Sequence, residues 1–203
     1  MNKIIQDFSR SDVELVNTEI IHNGFLKLRK VHLRHKLFRG GWSGTIQRET
    51  TLRRDAVGVL LFDKVLQKIV LVEQFRIGAF MHDDAQPWLL ELVAGLIEPD
   101  ESPEDVAVRE SLEEAGCVVT QLEPVHGFYS SPGGGNEFFH LFLGHCDLSG
   151  AGGIFGLAEE NEDIRVHIVD CVDIPDLLKS GVINNGHTLI ALQWLLLHNA
   201  SSK

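Results

Sequence analysis

Residues 95–117, GLIEPDESPEDVAVRESLEEAGC, constrain the fold more than any other stretch of this chain. Ser102 followed by Pro103, Glu104 and Asp105 reads as a helix start. Serine caps, proline suits the first helical position, and acids favour the positive end of the helix dipole. Gly116 is a natural stop. Between them, a rotation of about 100° per residue sets Val108, Leu112 and Ala115 on one face, which predicts the core stripe. Glu110, Glu113 and Glu114 fall within about 100° of one another on the opposite side. Taken alone, three carboxylates on a helix face make a solvated surface.

The rest of the chain reads mainly as β-structure. Asn23-Gly24 separates two strand-like runs, Val13–Ile21 and Phe25–Leu37, and predicts a hairpin. Its second run carries Lys27, Arg29, Lys30, Arg34, His35 and Lys36, either a solvated strand face or a surface turned to an anion or partner. Further strands are expected at residues 42–50, 56–62, 69–75, 88–94, 118–128, 138–145 and 165–169, with loops at 78–87 and 149–163. Helices are expected at about residues 174–179 and 187–198. A loop as long as 149–163 in a compact domain is commonly functional. Residues 1–47 are expected to form a small N-terminal β subdomain, and residues 48–203 the main domain.

At 203 residues the chain can bury one sizeable core. Acidic residues outnumber basic ones by 29 to 18, a formal net charge of −11, which opposes a phosphate polymer as main partner. An anionic substrate would then need local cations, which a divalent metal supplies. Cys117, Cys146 and Cys171 are odd in number and lack CxxC spacing. They argue against a disulfide framework or a cysteine zinc site and read as buried small hydrophobes. The most apolar stretch, Thr188 to Leu197, contains Gln193 and is about half the length that spans a bilayer. The opening MNKIIQDFSR lacks an apolar core and cleavage site, so a cytoplasmic protein without membrane or nucleic-acid partner is expected.

Gly95, Glu101, Arg109, Glu110, Glu113, Glu114 and Gly116 fit the pattern Gly-x5-Glu-x7-Arg-Glu-x2-Glu-Glu-x-Gly. Seven fixed residues at ordinary usage match by chance about once in a million chains or less. This segment resembles the signature of the Nudix hydrolases. Ser111 and Cys117 stand where that family usually has apolar residues, both at packing positions. The spacing has a physical reason. Magnesium takes oxygen ligands and keeps several waters, and glutamates at i, i+3 and i+4 converge on one volume without ordering a loop. The bend at Gly95 brings the preceding backbone near, so the Ala94 carbonyl can add a neutral ligand. Glu101 and Arg109 are expected to pair and hold the loop against the helix.

Beyond this box, four stretches resemble the bacterial ADP-ribose pyrophosphatases of that family: Glu73-Gln74-Phe75-Arg76, Pro87-Trp88-Leu89-Leu90-Glu91, Ser131-Pro132-Gly133-Gly134 and residues 156–164, GLAEENEDI. The resemblance implies an α/β/α sandwich with a mixed sheet, an N-terminal antiparallel piece, and hydrolysis of ADP-ribose to AMP and ribose 5-phosphate. It implies that Ala94, Glu110, Glu114 and Glu162 hold Mg²⁺ or Mn²⁺, that Glu113 contributes less directly, and that Glu160 is the general base. Arg76 is implied as a phosphate partner, with Leu96, Ser131, Pro132, Gly133 and Glu137 on the ribose side. Phe25, Leu26, Arg48, Glu49 and Arg53 match residues that reach the adenosine from the other subunit of a homodimer. Two alternatives stay open: a pyrophosphatase of GDP-mannose or another sugar nucleotide, and a non-catalytic nucleotide-sensing domain.

Overall fold

The computed structural model describes residues 7–83 and 86–201, which fall into two compact units. The first comprises residues up to Arg53 together with Ser131–Glu137. It is built on an antiparallel three-stranded sheet, β1 (Val13–Asn23), β2 (Lys27–His35) and β3 (Ile46–Leu52), in that order. The hairpin turn is Gly24, Phe25 and Leu26, closed by the Asn23–Lys27 pair, so Phe25 lies in the turn and not in the second strand. The basic residues of β2 are partly answered across the hairpin. Arg34 pairs with Glu14 at 2.6 Å and Lys30 with Glu19 at 3.5 Å, each opposite its partner in register. The strand expected at 42–50 begins only at Ile46, after a turn in which Gly40 and Gly41 both take positive φ. Because β3 pairs with β2 along its whole length, the unit runs six residues past 47, to Arg53.

The second unit holds β4 (Ala56–Asp63), β5 (Lys68–Phe75), the short α1 (Ile77–Phe80), β6 (Trp88–Glu91), β7 (Val93–Leu96), α2 (Pro103–Ala115), β8 (Gln121–Tyr129), β9 (Phe138–His145), β10 (Gly153–Phe155), β11 (Ile164–Asp170), α3 (Ile174–Ser180) and α4 (Gly186–Ser201). Its eight-stranded sheet runs β10-β11-β5-β4-β9-β8, with β6 added to β5 and β7 to β4. The β4–β9 pairing is parallel and the others antiparallel, the mixed sheet expected. All eight residues of β4 are buried, because this strand has neighbours on both sides and helices over both faces.

Strand alternation sorts the core into two layers. Val57, Val59, Leu61, Val70 and Val72 face α2, while Leu60, Phe62, Ile69 and Leu71 face α3 and α4. Cys117 and Cys146 are buried in the α2 layer, and Cys171 is half-buried in the other. The run expected as one strand over 88–94 is two. β6 and β7 separate at Leu92, so that each pairs with a different neighbour. The expected loop 149–163 contains β10 and a single 3-10 turn, Ala158–Glu160. Among the described residues no helix is long and apolar enough to cross a membrane.

Candidate active site

Helix α2 starts and stops where its local chemistry dictates. The Ser102 hydroxyl accepts from the Asp105 N–H while Asp105 accepts from the Ser102 N–H, and Gly116 closes the helix at φ +64°. Its faces, however, are not those expected. Val108 and Leu112 are 48% and 56% exposed, whereas Val106, Ala107, Ser111, Glu114 and Ala115 are buried. The polar members of the buried face are satisfied locally. Ser111 Oγ donates to the Ala107 carbonyl at 2.6 Å, and Glu114 Oε2 accepts the Ala94 N–H at 2.9 Å. Glu114, expected on the solvent side, is therefore 2% exposed against β7.

That burial dominates its electrostatics. Desolvation raises the Glu114 carboxyl to about 8, helped by repulsion from Glu110 and Glu162 and opposed by the Ala94 hydrogen bond and by Arg76. Glu110 is also raised, first by burial and then by Glu113 and Glu162, against the pull of Arg109. Glu110, Glu114 and Glu162 thus share one field. Glu162 is held from below by the Leu157 N–H at 3.2 Å. Gly95 makes room for Glu110, since a Cβ there would lie 1.8 Å from Glu110 Oε1. The expected Glu101–Arg109 pair is present, at 2.9 and 3.1 Å. Arg109 also reaches Glu110 at 2.8 Å and Glu113 at 2.9 Å, and the first of its four contacts holds the Glu101 carboxyl below the usual range.

Three mutually repelling carboxylates, one of them almost wholly desolvated, suit a divalent cation with oxygen preference. Among the described residues no set of three His, Cys, Asp or Glu side chains is already closed to metal-binding distance. The Ala94 N–H, on β7, donates to the Glu114 carboxylate at 2.9 Å, which sets this stretch of backbone beside the box glutamates.

The remaining expected residues divide between the units. Glu160 ends the 3-10 turn by its backbone, and its side chain lies outside the described residues. Arg76, between β5 and α1, donates from Nε to Glu91 Oε2 at 2.6 Å. Leu96 is half-buried on β7, packed against the α4-side core. In the N-terminal unit, Arg53 pairs with Glu137 at 3.0 Å, and Ser131 O accepts the N–H groups of Gly134 and Gly135. Pro132 and Gly133 are exposed in that turn. Arg48 and Glu49 lie opposite Val31 and Lys30 on β3, while Phe25 is 95% exposed and Leu26 is exposed beside it.

Residues without an expected role also matter. Glu91 positions Arg76, and only the β5–β6 register reveals it. Asn136 clasps Arg53 at both backbone groups, accepting its N–H at 2.7 Å and donating to its carbonyl at 2.9 Å. Gln74, on the α2 side of β5, is buried with Nε2 unpartnered among the described residues.

The NUDIX domain family matches residues 52–192. The chain belongs to the Nudix family. An ADP-ribose pyrophosphatase of Haemophilus influenzae is 46% identical over 198 residues, covering 97% of this chain and 91% of the relative. A GDP-mannose pyrophosphatase of Cronobacter sakazakii is 31% identical over 191 residues, covering 92% and 96%. A solved structure described as an ADP compounds hydrolase superposes with a TM-score of 0.72 at 18% identity, over 96% of this chain and 98% of that one. That likeness shows the fold. In this Nudix chain Glu110, Glu113 and Glu114 lie on a capped helix, with Gly95 leaving room for Glu110.

Proposed function

We propose that this Nudix protein hydrolyses the pyrophosphate bond of ADP-ribose, giving AMP and ribose 5-phosphate. The observation that carries the reading is that Glu110, Glu114 and Glu162 repel one another within one field, with Gly95 leaving room for Glu110. The full-length likeness to an ADP-ribose pyrophosphatase at 46% identity, against 31% for a GDP-mannose pyrophosphatase, favours the substrate. Glu110, Glu114 and Glu162, with the Ala94 carbonyl, would hold Mg²⁺ or Mn²⁺. Bound metal supplies charge neutralisation at the diphosphate and a more acidic water.

The chain's own groups do the rest. Arg76, fixed by Glu91 through Nε, keeps the other guanidinium nitrogens for a phosphate oxygen. Glu160 takes the proton of the attacking water as its oxygen bonds to phosphorus. The bond from phosphorus to the bridging oxygen then breaks, and the second phosphate leaves. All eleven residues of β1 are exposed in the single chain, Val13, Leu15, Val16, Ile20 and Ile21 among them. That surface favours a homodimer, in which Phe25, Leu26, Arg48 and Glu49 serve the partner's adenosine. A cytoplasmic location accords with three free cysteines.

The test is Mg²⁺-dependent hydrolysis across ADP-ribose, GDP-mannose, ADP-glucose, NADH and diadenosine phosphates. A kcat/KM for ADP-ribose at least tenfold above the others is expected. Preference for GDP-mannose would assign the chain to the alternative, and no turnover of any would return it to nucleotide sensing.

A further inference from the structure

The stretch Glu73-Gln74-Phe75-Arg76 contributes Arg76 to the site above, but Glu73 points elsewhere. It shares its strand face with Leu71, which packs on the α3 and α4 side, so it lies on the reverse of the sheet from α2. There it meets two adjoining cavities of about 230 and 350 Å³, both bordered by Glu73, Gln86 and Trp88. Arg165 and Asp163 border the first, and His167 the second. These volumes are at or below the small end of ligand sites, enough for a single ring system with its attached sugar rather than for a nucleotide sugar.

The lining is organised. Glu73 Oε2 is held by His167 Nε2 at 2.8 Å and by Arg165 Nη1 at 3.4 Å. Both contacts fall on that one oxygen, and Oε1 of the same carboxylate is an acceptor in the wall of both cavities. Trp88 is 51% exposed, its indole braced by Phe75 at a centroid distance of 5.6 Å and an interplanar angle of 66°. The Gln86 amide oxygen accepts the Trp88 backbone N–H at 3.5 Å, and the same amide carries Nε2 as a donor. An aromatic plane, a fixed carboxylate acceptor and an amide donor together complement a flat heterocycle that carries an amino group beside a ring nitrogen. With Glu73 and Asp163 on its wall, the cavity favours a neutral base over a phosphate.

We propose that this trough is a second nucleoside site, separate from the hydrolytic centre, in which an adenine-type base stacks on Trp88 and donates its amino group to Glu73. The proposal does not rest on the hydrolytic reading, and its test needs neither metal nor turnover. Adenosine, AMP, cytidine and ribose 5-phosphate are titrated calorimetrically into the EDTA-treated full chain. Wild type, Trp88→Ala, Glu73→Gln and Glu114→Gln proteins are compared, each checked for unchanged circular dichroism. Saturable adenosine binding is expected, at least tenfold weaker in Trp88→Ala and in Glu73→Gln and unchanged in Glu114→Gln. Cytidine should bind at least tenfold more weakly, and ribose 5-phosphate should not bind. AMP matching adenosine would make the free nucleoside sufficient. AMP binding at least tenfold tighter, with the gain lost in Arg165→Ala, would make a nucleotide the source of the same base. Absence of saturable adenosine binding overturns the proposal. So does adenosine binding that survives Trp88→Ala at wild-type strength, whatever its response to Glu114→Gln, which would place the base elsewhere.

Discussion

Replacing Glu114 with glutamine should make the metal-free protein more stable, while removing its response to magnesium. In the folded chain the Glu114 carboxyl is raised from 4.5 to about 8, mainly because it is buried beside Glu110 and Glu162. A folded-state pKa above the unfolded one means that the protonated form favours folding. This contribution is complete below about pH 4.5 and is lost as the pH rises through about 8. The displacement corresponds to about 5 kcal/mol at its limit, and relaxation with water entry should leave about half. For a chain of this size that is a melting-temperature difference of about 5–10 °C. Glutamine offers an amide oxygen in place of the carboxylate oxygen that accepts the Ala94 N–H, so the packing is retained. Calorimetric melting of EDTA-treated wild type and Glu114→Gln at pH 5 and pH 8 checks this. Wild type should lose stability between the two pH values, and the variant should lose much less, with a remainder from the raised Glu110. Saturating Mg²⁺ at pH 8 should restore wild type and barely move the variant. Equal melting temperatures at pH 8 without metal, or a wild type that gains stability from pH 5 to 8, would refute the reasoning.

Gly95→Ala should raise the Mg²⁺ concentration for half-activity more than tenfold, because the new Cβ would overlap the Glu110 carboxylate; a metal titration of the rate reads this directly. Glu160→Gln should lower kcat about 10²–10⁴-fold with little change in KM, as loss of a positioned base does, whereas Glu162→Gln should shift the metal requirement. Steady-state kinetics on the two variants would move the base to Glu162 if the effects were interchanged. Light scattering should give twice the 22.6 kDa chain mass across micromolar concentrations, and a monomer would remove the cross-subunit roles of Phe25 and Arg48.

What the sequence made legible was whatever depends on neighbours along the chain. The limits of α2 follow from Ser102, Pro103, Asp105 and Gly116, and all act within one turn. The buried face of that helix was not legible. Apolar periodicity favours Val108 and Leu112, yet the sheet takes Ser111 and Glu114, because a back-bond to Ala107 and the Ala94 N–H satisfy them. The division of residues 88–96 into two strands was hidden for a similar reason, since it is set by which neighbour each half pairs with. Short β10, inside a glycine-rich run, has too few residues to show a period. In the site, the placing of Glu110, Glu113 and Glu114 on one helix and the Glu101–Arg109 pair were legible from the motif. Glu91 behind Arg76, and Asn136 clasping Arg53, depend on cross-strand register and on contacts 83 residues apart in sequence. Those no local pattern encodes.

The central claim is that the Glu110, Glu114 and Glu162 cluster holds the metal that drives pyrophosphate cleavage. It is tested most directly by following AMP and ribose 5-phosphate release from ADP-ribose against Mg²⁺ concentration, in wild type and in Glu114→Gln. Equimolar products are expected from wild type, abolished by EDTA and restored by Mg²⁺. The variant should be slower by about 10³-fold or more at saturating substrate, equivalent to roughly 4 kcal/mol in the barrier, while its circular dichroism matches wild type. Turnover that persists in EDTA, or a Glu114→Gln protein working near the wild-type rate, would contradict the account.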